Sequence, residues 1–573
     1  MTSNYEELNS LRSLSVCVSK CTTFFVCRHA SRPVSHKEAR TRRRKCKIIP
    51  GHLRCQICET QNLVCSRAGT LAGASYRSPG EARQQIQHQT VVVPAHENAT
   101  SASVGIWDKS VCVELVDLYF TYIHDQFHSM FHRPSFMLDL QQNKAPNVIV
   151  YAMMATAARF SDNAMFAGIP PPNRAEPYAR ESQALLNLRD ISVSTIHACV
   201  LLGTVSISDG EAAAESVFYS AACRIANCLD LPTLSSPSPI TRDIYLRVYW
   251  TLCMIDVWSS DGMNLPRQMT RRGNVPLPLD EETFLNLSPE GTSDLDLPIN
   301  PDRNNSLLAQ MIKLNSILLE VNDYIKDLTT APLALGSEDR VADLSLKLDN
   351  WLITLPDYMR DTPENLRAYA AKGLGRFFVA IYLGYYHFGQ LLFYQYLDEQ
   401  QSGLLPTSSA VECGAQKCKE HAMYLSRIID AAMSTPGCDV KYSMVGHITV
   451  VASSVHIHTL LFETDEKEIR QARGQLERNF DHLVTLRKYW STLEVCFSRL
   501  KTFHELCRRS MHTSYRMDRW MLRFLTEFAR PIDAEERQDG ENSDLDFKVW
   551  MGENIERDVT SWETANNSHS MYS

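Results

Sequence analysis

Glycine and proline are sparse in this chain of 573 residues, at 23 and 25, too few for a collagen-like or wholly disordered protein. No run of about 18 uninterrupted apolar residues is present, so nothing reads as a plain spanning helix. The nearest stretch, Val445 to Phe462, is broken by His447, His456 and His458. Strict apolar–polar alternation is rare and no hairpin signal joins two β-branched runs, which argues against a β-rich fold. The GxxxxGK[ST] loop, a GxGxxG turn after a strand, the GxSxG elbow and the HExxH motif are all missing; His504-Glu505 is followed by Arg508 where the second histidine belongs. Little is left to support catalysis. The 17 cysteines fall short of the density of a small disulfide scaffold. The N-terminus makes a poor secretory signal, because Lys20 cuts the apolar stretch from Leu14 and Glu6 and Glu7 stand where a signal is basic. The expectation is a reducing compartment, where clustered cysteines more often hold metal than form disulfides.

What is present is unevenly distributed. The net charge is −8, yet the first 80 residues hold 14 Lys and Arg against Glu6, Glu7, Glu38 and Glu59, a balance of +10 that leaves −18 for the rest. A basic head on an acidic body argues for a polyanion at the head, with nucleic acid the default partner. Seven of the 17 cysteines lie within the first 65 residues. The chain divides by composition into an irregular segment, 1–35, and a compact basic, Cys-bearing unit, 36–67, with an alternative start at 17. A linker poor in large hydrophobes follows at 68–105, then a large all-α body at 106–530, then an acidic tail at 531–573. In the body, apolar residues recur at helical spacing, as in Leu307, Leu308, Met311, Leu314 and Leu318, and prolines such as Pro276, Pro278 and Pro356 punctuate the helices. The tail balances 11 acidic residues against Arg537, Lys548 and Arg557, and intersperses Leu545, Phe547, Trp550, Met551 and Trp562. This pattern fits a disordered segment that folds on a partner; the plainer reading is a solvated terminus.

The sharpest motif is Cys46-x8-Cys55-x2-Cys58-x6-Cys65, preceded by Arg42-Arg43-Arg44-Lys45. A C-x2-C turn brings two thiolates to one tetrahedron, the geometry zinc prefers. These residues resemble the fungal binuclear-zinc (Zn2Cys6) transcription factors, whose cluster joins two C-x2-C-x6-C half-sites with a basic run inside the first. Cys55, Cys58 and Cys65 match the second half-site, and Cys46 matches the last cysteine of the first. His36 and Ala39 stand where the other two cysteines belong, and the nearest upstream thiols include Cys27, Cys21 and Cys17. The resemblance implies zinc, two ions if the cluster is complete, held by Cys46, Cys55, Cys58 and Cys65, with Cys27, Cys21 and His36 as further candidates. It also implies a nuclear protein that reads CGG-type double-stranded DNA through Arg42, Arg43, Arg44, Lys45 and Lys47, with a homodimer supplying a second half-site. The physical basis is that Arg and Lys hydrogen-bond guanine O6 and N7 while neighbouring cations contact phosphate. The plainer reading of the basic run is a nuclear-import signal.

The body carries the same resemblance. Leu115 to Phe120 with His132-Arg133-Pro134-Ser135-Phe136, then Tyr245 to Trp250, Ile255-Asp256, Val275-Pro276-Leu277-Pro278 and Leu348-x2-Trp351-x3-Leu355-Pro356 follow the order of the fungal transcription factor regulatory domain. The implied fold is mainly α: a small cysteine cluster plus a large all-α regulatory domain. The implied function is regulation of RNA polymerase II transcription of a metabolic or biosynthetic gene set, without enzymatic activity or membrane contact. The rivals are a corepressor that has lost DNA binding and, behind it, an all-α enzyme. His124, His128 and His132, read at i, i+4, i+8 on one helix face, suggest either a metal-binding face or, more plainly, a hydrogen-bonded one. Cys223 with Cys228 and Cys413 with Cys418 read as buried small residues, and the aromatic stretch Phe377–Tyr396 as core or a pocket lining.

Overall fold

The computed structural model describes residues 109–126, 128–289, 303–330, 337–398 and 409–532. The chain divides after Thr100, and all of these residues belong to the second unit. Among them there is no strand; the one extended feature is an isolated bridge between His124 and His128. The regular structure is α-helical, as the periodicity predicts. Helices α1 (Lys109–Tyr122), α2 (Arg133–Gln141), α3 (Asn147–Ala157), α4 (Glu176–Leu185), α5 (Val193–Ser208) and α6 (Ala212–Leu229) lead into the long α7 (Pro239–Met263) and the short α8 (Glu281–Leu285). The second half comprises α9 (Leu307–Thr330), α10 (Ser337–Thr354), α11 (Pro363–Ala371), α12 (Gly375–Phe393), α13 (Ser409–Ser434), α14 (Met444–Phe462), α15 (Glu466–Arg487), α16 (Leu493–Arg509) and α17 (Arg519–Thr526).

Local chemistry sets the ends of these helices. Ser192, Ser238, Asp280, Thr362 and Asp518 each accept a backbone N–H of the first turn, at α5, α7, α8, α11 and α17, satisfying donors that have no partner within the helix. Asn264, with φ +53°, closes α7 in the left-handed conformation that asparagine tolerates. One apolar core runs through both halves of the body. Some helix pairs approach too closely for a side chain: a Cβ on Gly203 of α5 would sit 2.3 Å from the Tyr219 ring of α6, and one on Gly389 of α12 would sit 2.4 Å from the His421 ring of α13.

Helix α14 lies at the centre of the second half, against α12, α13, α15 and α16. Among the described residues it is the one helix long and apolar enough to cross a membrane, and 89% of its apolar window is buried inside the body. Its histidines are bonded internally: His447 Nε2 to Leu525 O at 3.2 Å, His456 Nε2 to Ser426 Oγ at 2.8 Å and His458 Nε2 to Leu397 O at 3.2 Å. The aromatic stretch of α12 is core, as its spacing suggests. Phe377, Phe378, Tyr382, Phe388 and Leu392 are buried, and Trp351 of α10 stacks on Tyr385 with centroids 5.0 Å apart.

Many histidines are enclosed. Burial pushes His128, His197, His387 and His458 down to about 3, and His456 and His482 to about 4. These rings stay neutral in the fold but charge in the unfolded chain near pH 6.5, so the unfolded state binds more protons as pH falls. Each ring should cost about 1.4 kcal/mol by pH 5.5. Glu215, raised to about 7 by burial, acts in the opposite direction and offsets part of this. The melting temperature of the helical body, followed by circular dichroism, should therefore fall steadily between pH 7.5 and 5.5; a flat or rising profile would contradict the buried neutral histidines.

Candidate functional site

The residues expected to hold zinc, Cys46, Cys55, Cys58 and Cys65 with Cys27, Cys21 and His36, lie outside the described residues, as do Arg42, Arg43, Arg44, Lys45 and Lys47. The described residues present a different constellation, centred on α7. Two ionised side chains one turn apart on this helix are withdrawn from water: Asp243 is 2% exposed and Arg247 1%. Arg247 donates from Nε to Asp243 Oδ2 at 2.7 Å, from Nη1 to Ser129 Oγ at 2.7 Å and from Nη2 to Leu279 O at 2.7 Å, and its guanidinium stacks 3.9 Å from the Phe284 ring centroid. Asp243 Oδ1 accepts from Leu279 N at 2.9 Å and from Arg303 Nη1 at 3.3 Å. Each charge has an opposite partner and its hydrogen-bonding capacity is used, which makes burial tolerable.

The rest of α7 continues the same work. Segment 264–280 has no helix of its own, so its backbone groups need partners elsewhere. Asp256 Oδ2 accepts from Gln268 N and Met269 N, both at 2.8 Å; Tyr249 Oη donates to Thr270 O at 3.2 Å; Trp250 Nε1 donates to Pro276 O at 2.9 Å. Burial raises Asp256, and the amides of Met269 and Gln268 oppose that shift. Asp261 pairs with Lys326 and Asn322 of α9. Buried Glu281 accepts from Leu307 N at 3.1 Å and Leu308 N at 2.9 Å, so a carboxylate at the start of α8 caps α9. Burial raises Glu281 against the pull of those amides and of Arg247. The Val275-Pro276-Leu277-Pro278 segment is thus a strap held along α7, with Arg303 donating to Leu277 O at 2.7 Å. A recess of about 210 Å³ opens beside it, lined in part by Leu231, Leu234, Arg242, Tyr245 and Arg303.

The histidine reading needs correction. His124, His128 and His132 do not share a helix face, because α1 ends at Tyr122. His124 Nε2 accepts from Met130 N at 3.2 Å and Phe131 N at 3.1 Å, and Asp125 turns into the left-handed region at φ +66°. A side chain that takes up backbone donors competes with helix continuation. His132 instead caps α2, bonding Ser135 Oγ at 2.7 Å, with Pro134 in the first turn. Among the described residues no group of three or more His, Cys, Asp or Glu is placed to hold a metal ion. The cysteine pairs also divide: Cys223 and Cys418 are buried, but Cys228 is exposed and Cys413 half-buried. A five-residue spacing puts the two members about 140° apart around the helix, so one can face solvent while the other faces the core.

Sequence reasoning named Arg247 and Asp256 only as landmarks and passed over Asp243, Asp261 and Glu281. The available signal was charge at i and i+4 inside a helix that is otherwise strongly apolar. Arg247→Ala should leave Asp243 buried with one partner fewer and destabilise the body by about 3–5 kcal/mol. Arg180→Ala, which removes an exposed pair with Glu176, should leave the urea midpoint nearly unchanged; equal midpoints for the two variants would contradict the network's importance.

Residues 116–353, which contain α7 and its strap, match the family model of the fungal specific transcription factor domain. An uncharacterized transcriptional regulatory protein of Schizosaccharomyces pombe is 25% identical over 329 residues, 52% of this chain and 34% of its own length. The Zn(2)-C6 fungal-type transcription factor FTF1c of Fusarium oxysporum f. sp. lycopersici is 23% identical over 428 residues, 69% of this chain and 45% of its own. A second uncharacterized transcriptional regulatory protein of S. pombe is 24% identical over 440 residues, 69% of this chain and 52% of its own. The chain thus spans from about a third to about half of the length of these relatives. No solved structure matches it. The matched domain and the named relatives are alike described as transcription factors or transcriptional regulators.

Proposed function

We propose that this chain is a nuclear zinc-cluster transcription factor that binds CGG-type DNA sites and regulates RNA polymerase II transcription of a metabolic or biosynthetic gene set. The observation that carries the reading is the order of parts: a Cys46–Cys65 cluster with an adjoining basic run stands upstream of a segment that matches the fungal specific transcription factor domain. In this reading residues 36–67 are the DNA-binding unit, 68–105 the linker, 106–530 the regulatory body and 531–573 the acidic segment that meets the transcription machinery. The donor set fits zinc. Cys46, Cys55, Cys58 and Cys65 supply four thiolates, enough for one tetrahedral ion, and a second ion needs donors from Cys27, Cys21 or His36. Bound zinc would supply folding energy to a unit with few large apolar residues. Arg42, Arg43, Arg44, Lys45 and Lys47 then approach the major groove, and a homodimer offers a second such unit.

A second reading is supported by one observation. His36 and Ala39 occupy positions where the resemblance calls for cysteine, and alanine cannot ligate zinc. A chain with that head would keep the regulatory body and act as a corepressor without direct DNA contact.

Single Ala variants across Arg42–Lys47, bound to CGG-containing and scrambled duplexes at two salt concentrations, separate these readings. Loss of a phosphate contact should weaken both duplexes alike and lower the salt slope by ~1. Loss of a base contact should cost roughly 1–3 kcal/mol on the CGG duplex alone. Equal losses on both duplexes for every variant would reduce the run to a cationic patch and favour the corepressor. Native mass spectrometry should find zinc on the full chain, two ions for a complete cluster, and removal by chelator should abolish selective binding while leaving the helical signal of the body unchanged.

A further inference from the structure

The last helices of the body and the tail beyond them carry net charges of opposite sign. Between residues 499 and 532 stand Arg499, Lys501, Arg508, Arg509, Arg516, Arg519, Arg523 and Arg530 against Glu505, Asp518 and Glu527, a net of +5. Lys501, Arg508, Arg509, Arg516, Arg519 and Arg530 are exposed, whereas the three acids are half-buried or buried. Residues 533–573 then carry a net of −8. The body as a whole is acidic, so this basic face is a local reversal.

The chain is pinned where the two meet. Arg499, 1% exposed, donates to the carbonyls of Arg523 at 2.7 Å, Phe524 at 2.6 Å, Glu527 at 3.0 Å and Arg530 at 2.7 Å. One guanidinium thus gathers carbonyls at the end of α17 and of the turns after it. Phe528 lies against His447, with ring centroids 5.2 Å apart, and a Cβ on Gly262 would meet its ring at 2.5 Å. Ile532 is buried, and its carbonyl accepts from Thr502 Oγ1 at 3.5 Å. The acidic segment therefore starts beside the third turn of α16, next to Lys501. Arg508 lies seven residues on, on the same face, about 10 Å along the helix, a distance that three or four extended residues cover. Asp533, Glu535 and Glu536 fall within that reach.

We propose that residues 533–573 dock in cis on the basic face formed by α16 and α17. Charge complementarity and the pinned exit beside Thr502 select this occupant over a second copy, because tethering raises the segment's local concentration at the surface far above that of a free partner. The contact does not depend on the activation reading of the tail; if that reading holds, docking withholds Phe547 and Trp550 from the transcription machinery.

The test is zero-length carbodiimide coupling in the full chain, mapped by mass spectrometry. Lys419–Glu463 and Lys372–Glu282, 3.0 and 3.1 Å apart, are internal controls. At low salt Lys501 should couple to acids within 539–546, and the triple variant R508E/R509E/R519E should lower that yield by at least ~5-fold while the controls persist. Mixing isotopically heavy and light chains should give no mixed pairs. Control couplings without tail couplings would overturn the proposal, and mixed heavy–light pairs would assign the contact to a second copy instead. A reporter assay on the triple variant reads the consequence separately: coupling lost with output raised supports the withholding of Phe547 and Trp550, and coupling lost with output unchanged would sink that withholding and leave the docking intact.

Discussion

Burying Asp243 and Arg247 side by side on α7 is tolerable only while every donor and acceptor around them is engaged, and much of the first half of the body is arranged by that requirement. The guanidinium reaches Ser129 in the turn after α1 and the carbonyl of Leu279 at the end of the strap. The same helix holds the backbone of segment 264–280 through Tyr249, Trp250 and Asp256, and grips α9 through Asp261. A turn, an irregular segment and a second long helix are thus fixed to one scaffold by polar contacts, and the apolar core closes around them. Hydrophobic burial is non-directional; these bonds set the register in which it happens.

The helical character of the body was legible because burial follows the period. Leu307, Leu308, Met311, Leu314 and Leu318 all face the core, as do Leu348, Trp351 and Leu355. What the sequence concealed was the role of charge within apolar helices. Arg247, Arg499 and Arg159 look like ordinary surface residues in a one-dimensional pattern, yet each is 1% exposed and bonded to backbone carbonyls distant in sequence. The break after Tyr122 was hidden for a related reason. No glycine or proline marks it; His124 ends the helix by taking up the amides of Met130 and Phe131, a side-chain-to-backbone contact that the periodicity does not show. Cys228 shows the limit of reading spacing without phase, since the period says that two positions differ but not which one faces solvent. The cysteine and arginine motif of the head, by contrast, is legible only in sequence, because its residues lie outside those described.

The division of charge ties these parts together. A head of net +10 suits a polyanion, and the acidic remainder discourages the body from competing for the same phosphates. Within that acidic remainder the reversal at α16 and α17 gives the tail a nearby surface of opposite sign. In the proposed arrangement the last helices of the body offer the acidic tail a place to dock.

Selection from a random duplex pool by the full, zinc-loaded chain tests whether the head reads DNA sequence. The recovered sequences should share CGG triplets, and prior chelation of the metal should abolish the enrichment. Recovery of sequences with no shared triplet, from protein whose body is fully folded and whose metal is bound, would contradict that reading.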